Sequence, residues 1–280
     1  MPMKRLSKHL GKKQPRLAPA KACAFCGAAA VEMSGEHIFS GWIDKLFESK
    51  GYNWRYTDPD TREVNIWDQR KLNRKLYVVC ADCNNGWMSR IENDLAKPTL
   101  TNMIRDGNKQ SLLPRGAVSL AIFAFKCAVV ANHANLNGDP FFSPAARDRF
   151  KTSLAIPSGF QIWIGAFQGI YKQSGVFNCY YLIPQTVAKP WCDLEFYGFT
   201  FVAGHLAFQV LASKWRNLLR KGEPLPIFTQ DPQWDTASIP SWPSDNRSLV
   251  WPPVAYFSND SIHTFIQRWG SPWTTTANII

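Results

Sequence analysis

Apolar positions divide the chain into segments with different periods. Trp42, Ile43, Leu46 and Phe47 recur at helical spacing, with Ser40 as the expected N-cap and Gly51 as the stop. Between residues 52 and 79 the runs NWRYT, VNIW and LYVV are short and rich in aromatic and β-branched residues, which predicts strands. DPD at 58–60 predicts a turn between them. A second helix is expected from about Asn85, where Trp87, Ile91 and Leu95 recur every four residues, with Pro98 ending it. Residues 117–134 form a long apolar helical run, and PAARDRFKTSL forms a short helix. Four strand-like runs follow: FQIWIGAF, GVFNCYYLI, LEFYGFTFV and HLAFQVLA. KWRNLLRK, 214–221, reads as a basic helical turn. The proline-rich stretch 223–260, with its WPS and WPP motifs, is expected to wrap over the surface, and SIHTFIQRW, 261–269, reads as a last amphipathic helix. No internal repeat is present. The order of elements predicts an α+β fold whose second part carries an antiparallel sheet.

The apolar run AVSLAIFAFKCAVVANHA, 117–134, is long enough to raise the question of a membrane span. Lys126 stands in its middle, and a lysine at the centre of a span costs about 2.5–3.5 kcal/mol on insertion scales. A buried helix packed on a sheet is the expectation, with no membrane partner. Apolar residues make up 45% and charged residues 19%, which excludes a disordered chain and allows a real core. The net charge of +11 points to a polyanionic partner, nucleic acid above all. Residues 1–21 hold Lys4, Arg5, Lys8, Lys12, Lys13, Arg16 and Lys21 without an acid, and read as a basic flexible arm rather than a secretory signal. A cytoplasmic location is expected.

Cysteine spacing narrows the chemistry. Of the seven cysteines, Cys23–Cys26 and Cys80–Cys83 form two C-x-x-C pairs; Cys127, Cys179 and Cys192 stand alone and read as buried thiols. An odd number without a signal peptide argues against a disulfide framework. A redox dithiol needs one such pair, whereas two pairs predict two knuckles closing a tetrahedral four-cysteine zinc site. Four thiolates leave zinc no open position, so the zinc is structural. Chemistry would fall to the polar residues nearest the knuckles, Glu36–His37 and Asn84–Asn85. Glu36 offers a hard oxygen to Mg²⁺ or Mn²⁺, His37 can take a proton near neutral pH, and Asn84 offers an amide oxygen at an expected helix start. The backbone N–H groups of that helix start would favour a phosphate.

The sequence C-x-x-C, then EHIF before a tryptophan-bearing helix, then C-x-x-C-N-N-G-W-M-S-x-x-E, resembles the HNH endonucleases. More narrowly it resembles bacterial members whose ββα-metal site is braced by a four-cysteine zinc. The resemblance covers residues 22–98. It implies a treble-clef-like, zinc-braced ββα-metal domain at 22–98, followed by an α+β domain of unknown role at 99–280. It also implies His37 as general base, with Glu36 and Asn84 as ligands of the catalytic Mg²⁺ or Mn²⁺. Many members carry a middle asparagine that orients the histidine; its expected place is near Lys75, and the nearest asparagine is Asn73. Glu92, eight residues after Asn84, is either a further ligand or, as we expect, a solvent-facing acid.

The expected function is therefore metal-dependent hydrolysis of DNA phosphodiester bonds, with His37 activating water. The alternative is a non-catalytic, zinc-braced nucleic-acid-binding protein on the same scaffold. His9 lies in the flexible arm, His133, His205 and His263 read as core or surface histidines, and the later tryptophans read mainly as core.

Overall fold

A computed structural model describes residues 22–29, 31–38, 40–47, 52–57, 64–69, 75–133, 141–169, 175–182, 194–215, 236–267 and 277–279. In chain order the elements begin with strand β1 (Met33–His37), the short helix α1 (Gly41–Asp44), and strands β2 (Tyr52–Thr57), β3 (Val64–Gln69) and β4 (Lys75–Cys80). A continuous helical run follows: α2 (Ala81–Cys83), two wide π-helical turns at Asn84–Met88 and Ile91–Ala96, and α3 (Lys97–Arg105). Next come β5 (Gln110–Leu112), α4 (Pro114–Asn132), α5 (Pro144–Ser153), β6 (Phe160–Ala166), β7 (Gly175–Leu182), β8 (Leu194–Ala203) and β9 (Leu206–Trp215). The chain closes with β10 (Ser238–Trp242), β11 (Leu249–Trp251), α6 (Asn259–Gln267) and β12 (Ala277–Ile279). This is a mixed α+β fold with antiparallel sheets.

An eight-stranded sheet has the order β10-β6-β9-β8-β7-β12-β2-β3; β1 pairs with β4, and β5 with β11. The segment between β1 and β4 is thus an excursion whose strands join the large sheet, and the two cysteine pairs lie outside it. Alternate residues of the central strands feed separate cores. On β9, Leu206, Phe208, Val210 and Ala212 face one core, and Ala207 and Leu211 face the other. Both faces are covered, α4 lying against β9 and β10 on one side and α6 supplying Ile262 and Phe265 on the other. This explains why these strands read as nearly continuous apolar runs. Gln209 is buried on the α6 side and donates to Thr200 Oγ1 at 2.8 Å and to the Phe265 carbonyl at 3.0 Å, so its amide is satisfied.

From Leu120 to Asn132 every residue of α4 is buried. A helix that is apolar all round belongs inside a protein core or a membrane. Here it packs against Ile91–Ala96, α3, β9 and β10, and the Tyr197 hydroxyl donates to its Ala128 carbonyl at 2.6 Å. The helix is the only described one long and apolar enough to cross a membrane, and 72% of its apolar window is buried inside the protein.

Several expectations are corrected. The helix expected from Asn85 begins at Ala81, because Cys80 Sγ caps it by accepting the Cys83 N–H at 3.5 Å. Pro98 does not end it: the run is wound as a wide π-helical turn just before it, with Lys97 N–H on the Glu92 carbonyl, and continues through Pro98 as α3. The boundary drawn at 98/99 falls inside α3, and one apolar core runs from Phe25 and Val79 to Phe160 and Phe208. Lys214 and Trp215 belong to β9, not to a helical turn. The proline-rich stretch does not simply wrap the surface: β10 extends the sheet and Trp251 is fully buried. The arm 1–21, the DPD turn, Asn73, residues 216–221 and the first part of the proline-rich stretch lie outside the described residues.

Candidate functional site

The first knuckle is a tight turn. Gly27 N–H donates to the Cys23 carbonyl at 2.9 Å, and Gly27 adopts the left-handed φ of +69° that glycine tolerates. Ala24 N–H donates to the Val78 carbonyl at 2.8 Å, which fixes the knuckle to β4. The second knuckle is the turn from β4 into α2. All four sulfur atoms, of Cys23, Cys26, Cys80 and Cys83, lie within 4.8 Å of one another. Tetrahedral zinc with bonds of about 2.3 Å has sulfur–sulfur edges of about 3.8 Å. Cys26 Sγ and Cys80 Sγ are 3.8 Å apart. Backbone N–H groups also point at sulfur, Cys80 N to Cys23 Sγ at 3.3 Å and Cys83 N to Cys80 Sγ at 3.5 Å. Burial pushes the Cys23 thiol up, but hydrogen bonds from the Cys26, Cys80 and Phe25 backbone outweigh it and bring it down to about 7. The cluster can bind a metal such as zinc.

Aromatic packing holds the cluster against the rest of the chain. Phe25 stands edge-on to Trp87 at 4.9 Å, and Trp87 to Phe150 of α5 at 5.8 Å. Arg147 of α5 donates to the Ala24 carbonyl inside the first knuckle.

Glu36 and His37 end β1, opposite Leu76 and Lys75 of β4, after an irregularity in pairing between Ser34 and Glu36. Glu36 is 3% exposed and its Oε1 lies 2.6 Å from Lys126 Nζ. Lys126 is fully buried and also lies 2.5 Å from Glu92 Oε1. Ser40 Oγ donates to that same Glu92 oxygen at 2.6 Å. Sequence reasoning met each member of this cluster for another reason: Lys126 as a membrane question, Ser40 as a helix cap, Glu92 as a solvent-facing acid. Ser40 is the N-cap residue of α1 but makes no side-chain cap bond, and the carboxylate of Glu92 faces inward, which corrects the reading of Glu92 as solvent-facing. No local pattern marks the cluster, because its members are 34 to 90 residues from Lys126.

Electrostatics follow from this geometry. Burial pushes the Glu36 carboxyl above its usual range, against the attraction of Lys126 and a hydrogen bond from the His37 backbone N–H. For Glu92 burial acts upward too, but Lys126 and Ser40 outweigh it, with a smaller contribution from His37, and its pKa is lowered. Burial alone would lower Lys126; the carboxylates of Glu36 and Glu92 reverse that and raise it.

Asn84 is half-buried in the first π-helical turn, and its Nδ2 donates to Ser34 Oγ at 2.8 Å. Asn84 therefore meets β1 three residues before His37, about 10 Å along an extended strand. The structure brings Glu36 to Lys126 and Glu92, and Asn84 to Ser34; it does not bring Glu36 and Asn84 into contact. Glu36, already paired with an ammonium in the core, is poorly placed to ligate a solvent-borne ion, contrary to the role expected for it. At the helix start Ala81 N donates to the Glu32 carbonyl and Cys83 N to sulfur, so these two N–H groups are already engaged. Beyond the four cysteines, no group of three or more His, Cys, Asp or Glu converges on a common point among the described residues. Mg²⁺ keeps several waters and needs only one or two protein oxygens beside a substrate phosphate. Asn84 Oδ1 offers one such oxygen, and the set lacks the carboxylate that was to supply the second.

His133 and His205 have structural partners. His133 Nδ1 lies 2.8 Å from the Val129 carbonyl, and His205 Nδ1 lies 3.0 Å from that of Phe167. Cys127 is buried beside Lys126, and burial pushes its thiol up to about 12. Compared with known protein families, characterised proteins and solved structures, the chain matches none.

Proposed function

We propose that this protein is an HNH-type nuclease that hydrolyses phosphodiester bonds in DNA, with His37 as the general base and zinc bound by the four cysteines as a brace. The observation that carries the reading is the order of parts around the cysteine cluster. An antiparallel pair, β1 and β4, leads into a helix, and the cluster ties the β4–helix junction to the first knuckle. His37 stands at the free end of that pair and is half-buried. A neutral imidazole there can take the proton of an attacking water. Asn84, its amide plane set by Ser34, would hold Mg²⁺ or Mn²⁺ together with water and the scissile phosphate. Such an ion supplies charge stabilisation at the phosphate and the leaving oxygen. The basic balance of the chain favours a nucleic-acid backbone as the partner.

One observation favours a second reading, a zinc-braced nucleic-acid-binding protein without catalysis: the carboxylate expected on the metal pairs with Lys126 instead. Plasmid nicking by the purified chain across a titration of Mg²⁺ and Mn²⁺ separates the two. Metal-dependent nicking supports the nuclease; DNA binding without nicking in either metal supports the binding protein.

A further inference from the structure

The ammonium of Lys126 reaches the Glu36–His37 step from a helix that lies far along the chain. Its Nζ contacts Glu36 Oε1 and Glu92 Oε1, so those two carboxylate oxygens are no farther apart than the sum of the two contact distances. Ser40 Oγ donates to the same Glu92 oxygen that Lys126 contacts. The Glu36 carboxylate in turn accepts the backbone N–H of His37. A continuous path runs from α4 through Glu36 to the peptide of His37.

This path acts on the end of a short strand. Among the described residues β1 pairs only with β4, the pairing is irregular between Ser34 and Glu36, and the bonds from Asn84 to Ser34 and from Ala81 N–H to the Glu32 carbonyl hold its other end. Neighbouring strand residues face opposite sides, so a slip of one residue would turn His37 into the core and Glu36 outward. The same slip would turn Ile38, which is fully buried in the core, outward, so hydrophobic burial and the ion pair select the same register. Lys126 adds to that selection: Glu36 inward gives it a second carboxylate beside Glu92, while an imidazole facing inward would leave the buried ammonium with Glu92 alone. Buried ion pairs are dispensable for stability in many proteins, and their best-attested use is to fix register.

We propose that Lys126 is a positioning residue for His37: by holding Glu36 in the core, it secures, together with the buried Ile38, the register of the end of β1 and directs His37 to the opposite side of the strand. The inference rests on the reading of His37 as the base. It also explains why an acid and a histidine are adjacent: the acid is the anchor, and the histidine is the group that the anchor aims.

The test uses the full chain with three variants. Lys126→Met removes the charge and leaves two buried carboxylates. Lys126→Met/Glu36→Gln/Glu92→Gln removes all three charges with little change of shape, and Lys126→Arg keeps the cation. Zinc content and cooperative unfolding report the fold. The Cε1–Hε1 resonance of the His37 ring, assigned by its loss in His37→Gln, reports the histidine independently of any activity. In the triple variant we expect retained zinc, a His37 resonance that moves or splits, and kcat for plasmid nicking reduced at least tenfold with KM unchanged. Lys126→Arg should return the resonance and part of kcat. A folded triple variant with the wild-type His37 resonance and kcat overturns the proposal. A triple variant that fails to fold also overturns it, because the three residues would then be structural. If the wild type nicks no DNA, the nuclease reading fails by itself, and the His37 resonance still decides the positioning role.

Discussion

His133 accepts a hydrogen bond from Arg147: its Nε2 lies 3.1 Å from Arg147 Nη1, and its Nδ1 lies 2.8 Å from the Val129 carbonyl. A carbonyl only accepts and a guanidinium only donates, so Nδ1 carries the proton, Nε2 is bare, and the imidazole is neutral. Burial pushes its pKa below the ordinary 6.5; the Val129 carbonyl opposes this, and the charge of Arg147 adds to the lowering. Between the folded value and 6.5 the unfolded chain binds more protons than the folded one, so stability rises with pH through that window. Urea unfolding midpoints should therefore fall as pH drops below about 6.5. His133→Gln should show a shallower fall over the same window. Equal slopes for the two proteins would assign the pH dependence to other groups.

The cysteine cluster makes a separate prediction. Purified protein should carry about one zinc per chain. Cys80 supplies a ligand and also caps α2 through sulfur, so Cys80→Ser removes a zinc bond and weakens the helix start together. In small zinc domains the metal-binding energy is folding energy. Here the large sheet has cores of its own, which predicts local rather than global loss. Hydrogen exchange of Cys80→Ser should show lost protection at residues 22–29 and 75–88, with β6, β8 and β9 still protected. Elemental analysis showing folded wild-type protein without zinc would remove the metal assignment.

Local signals in the sequence located most of the elements. Strands β6 to β9 and helices α4, α5 and α6 follow from runs of aromatic, β-branched or periodic apolar residues, whose tendencies are set by near neighbours. The knuckles were legible for the same reason, because each is a four-residue motif. Positions decided by distant partners were not legible. Ser40 stands at the N-cap of α1 as its type suggests, yet its hydroxyl serves Glu92 instead of the helix. Pro98 is a helix breaker by type, yet the helical run passes through it, directly after a wide π-helical turn. Lys126 looks like an interruption in an apolar run, and the carboxylates that accommodate it lie 34 and 90 residues away in the chain. β5, only three residues long and paired with β11, offered too little pattern to detect.

Gly204 tests how the helical run is docked on the sheet. It turns β8 into β9 with φ of +56°, and a Cβ placed there would lie 2.1 Å from the Ile104 carbonyl oxygen of α3. The next residue, His205, donates its backbone N–H to that same carbonyl at 2.9 Å. Gly204→Ala must therefore relieve a clash with backbone, lose that hydrogen bond, and hold alanine in a left-handed conformation. The last of these alone costs about 1 kcal/mol, and the lost bond adds about 0.5–1.5 kcal/mol. Denaturant unfolding should show a loss of at least about 2 kcal/mol. Unchanged stability would mean that α3 and the turn separate without cost.

The proposed base gives the most direct test of function. His37 ends β1, and its residue is half-buried, so removing its ring creates no large cavity in the core. His37→Ala keeps Glu36, Lys126 and Glu92 in place and leaves the four cysteines untouched, so zinc content and melting should change little. Removing a general base typically lowers rate by about 10²–10⁴-fold. We therefore expect plasmid nicking to fall by that order while DNA affinity, read by a mobility-shift titration at fixed salt, is retained. Added Mg²⁺ or Mn²⁺ should not restore the rate, because the missing group is a proton acceptor and not a ligand. Asn84→Ala provides the contrast: it removes the one protein oxygen assigned to the ion, so its loss of rate should shrink as metal is raised. Wild-type nicking by His37→Ala would exclude the imidazole as base. A His37→Ala rate that recovers with metal would instead place His37 among the metal ligands.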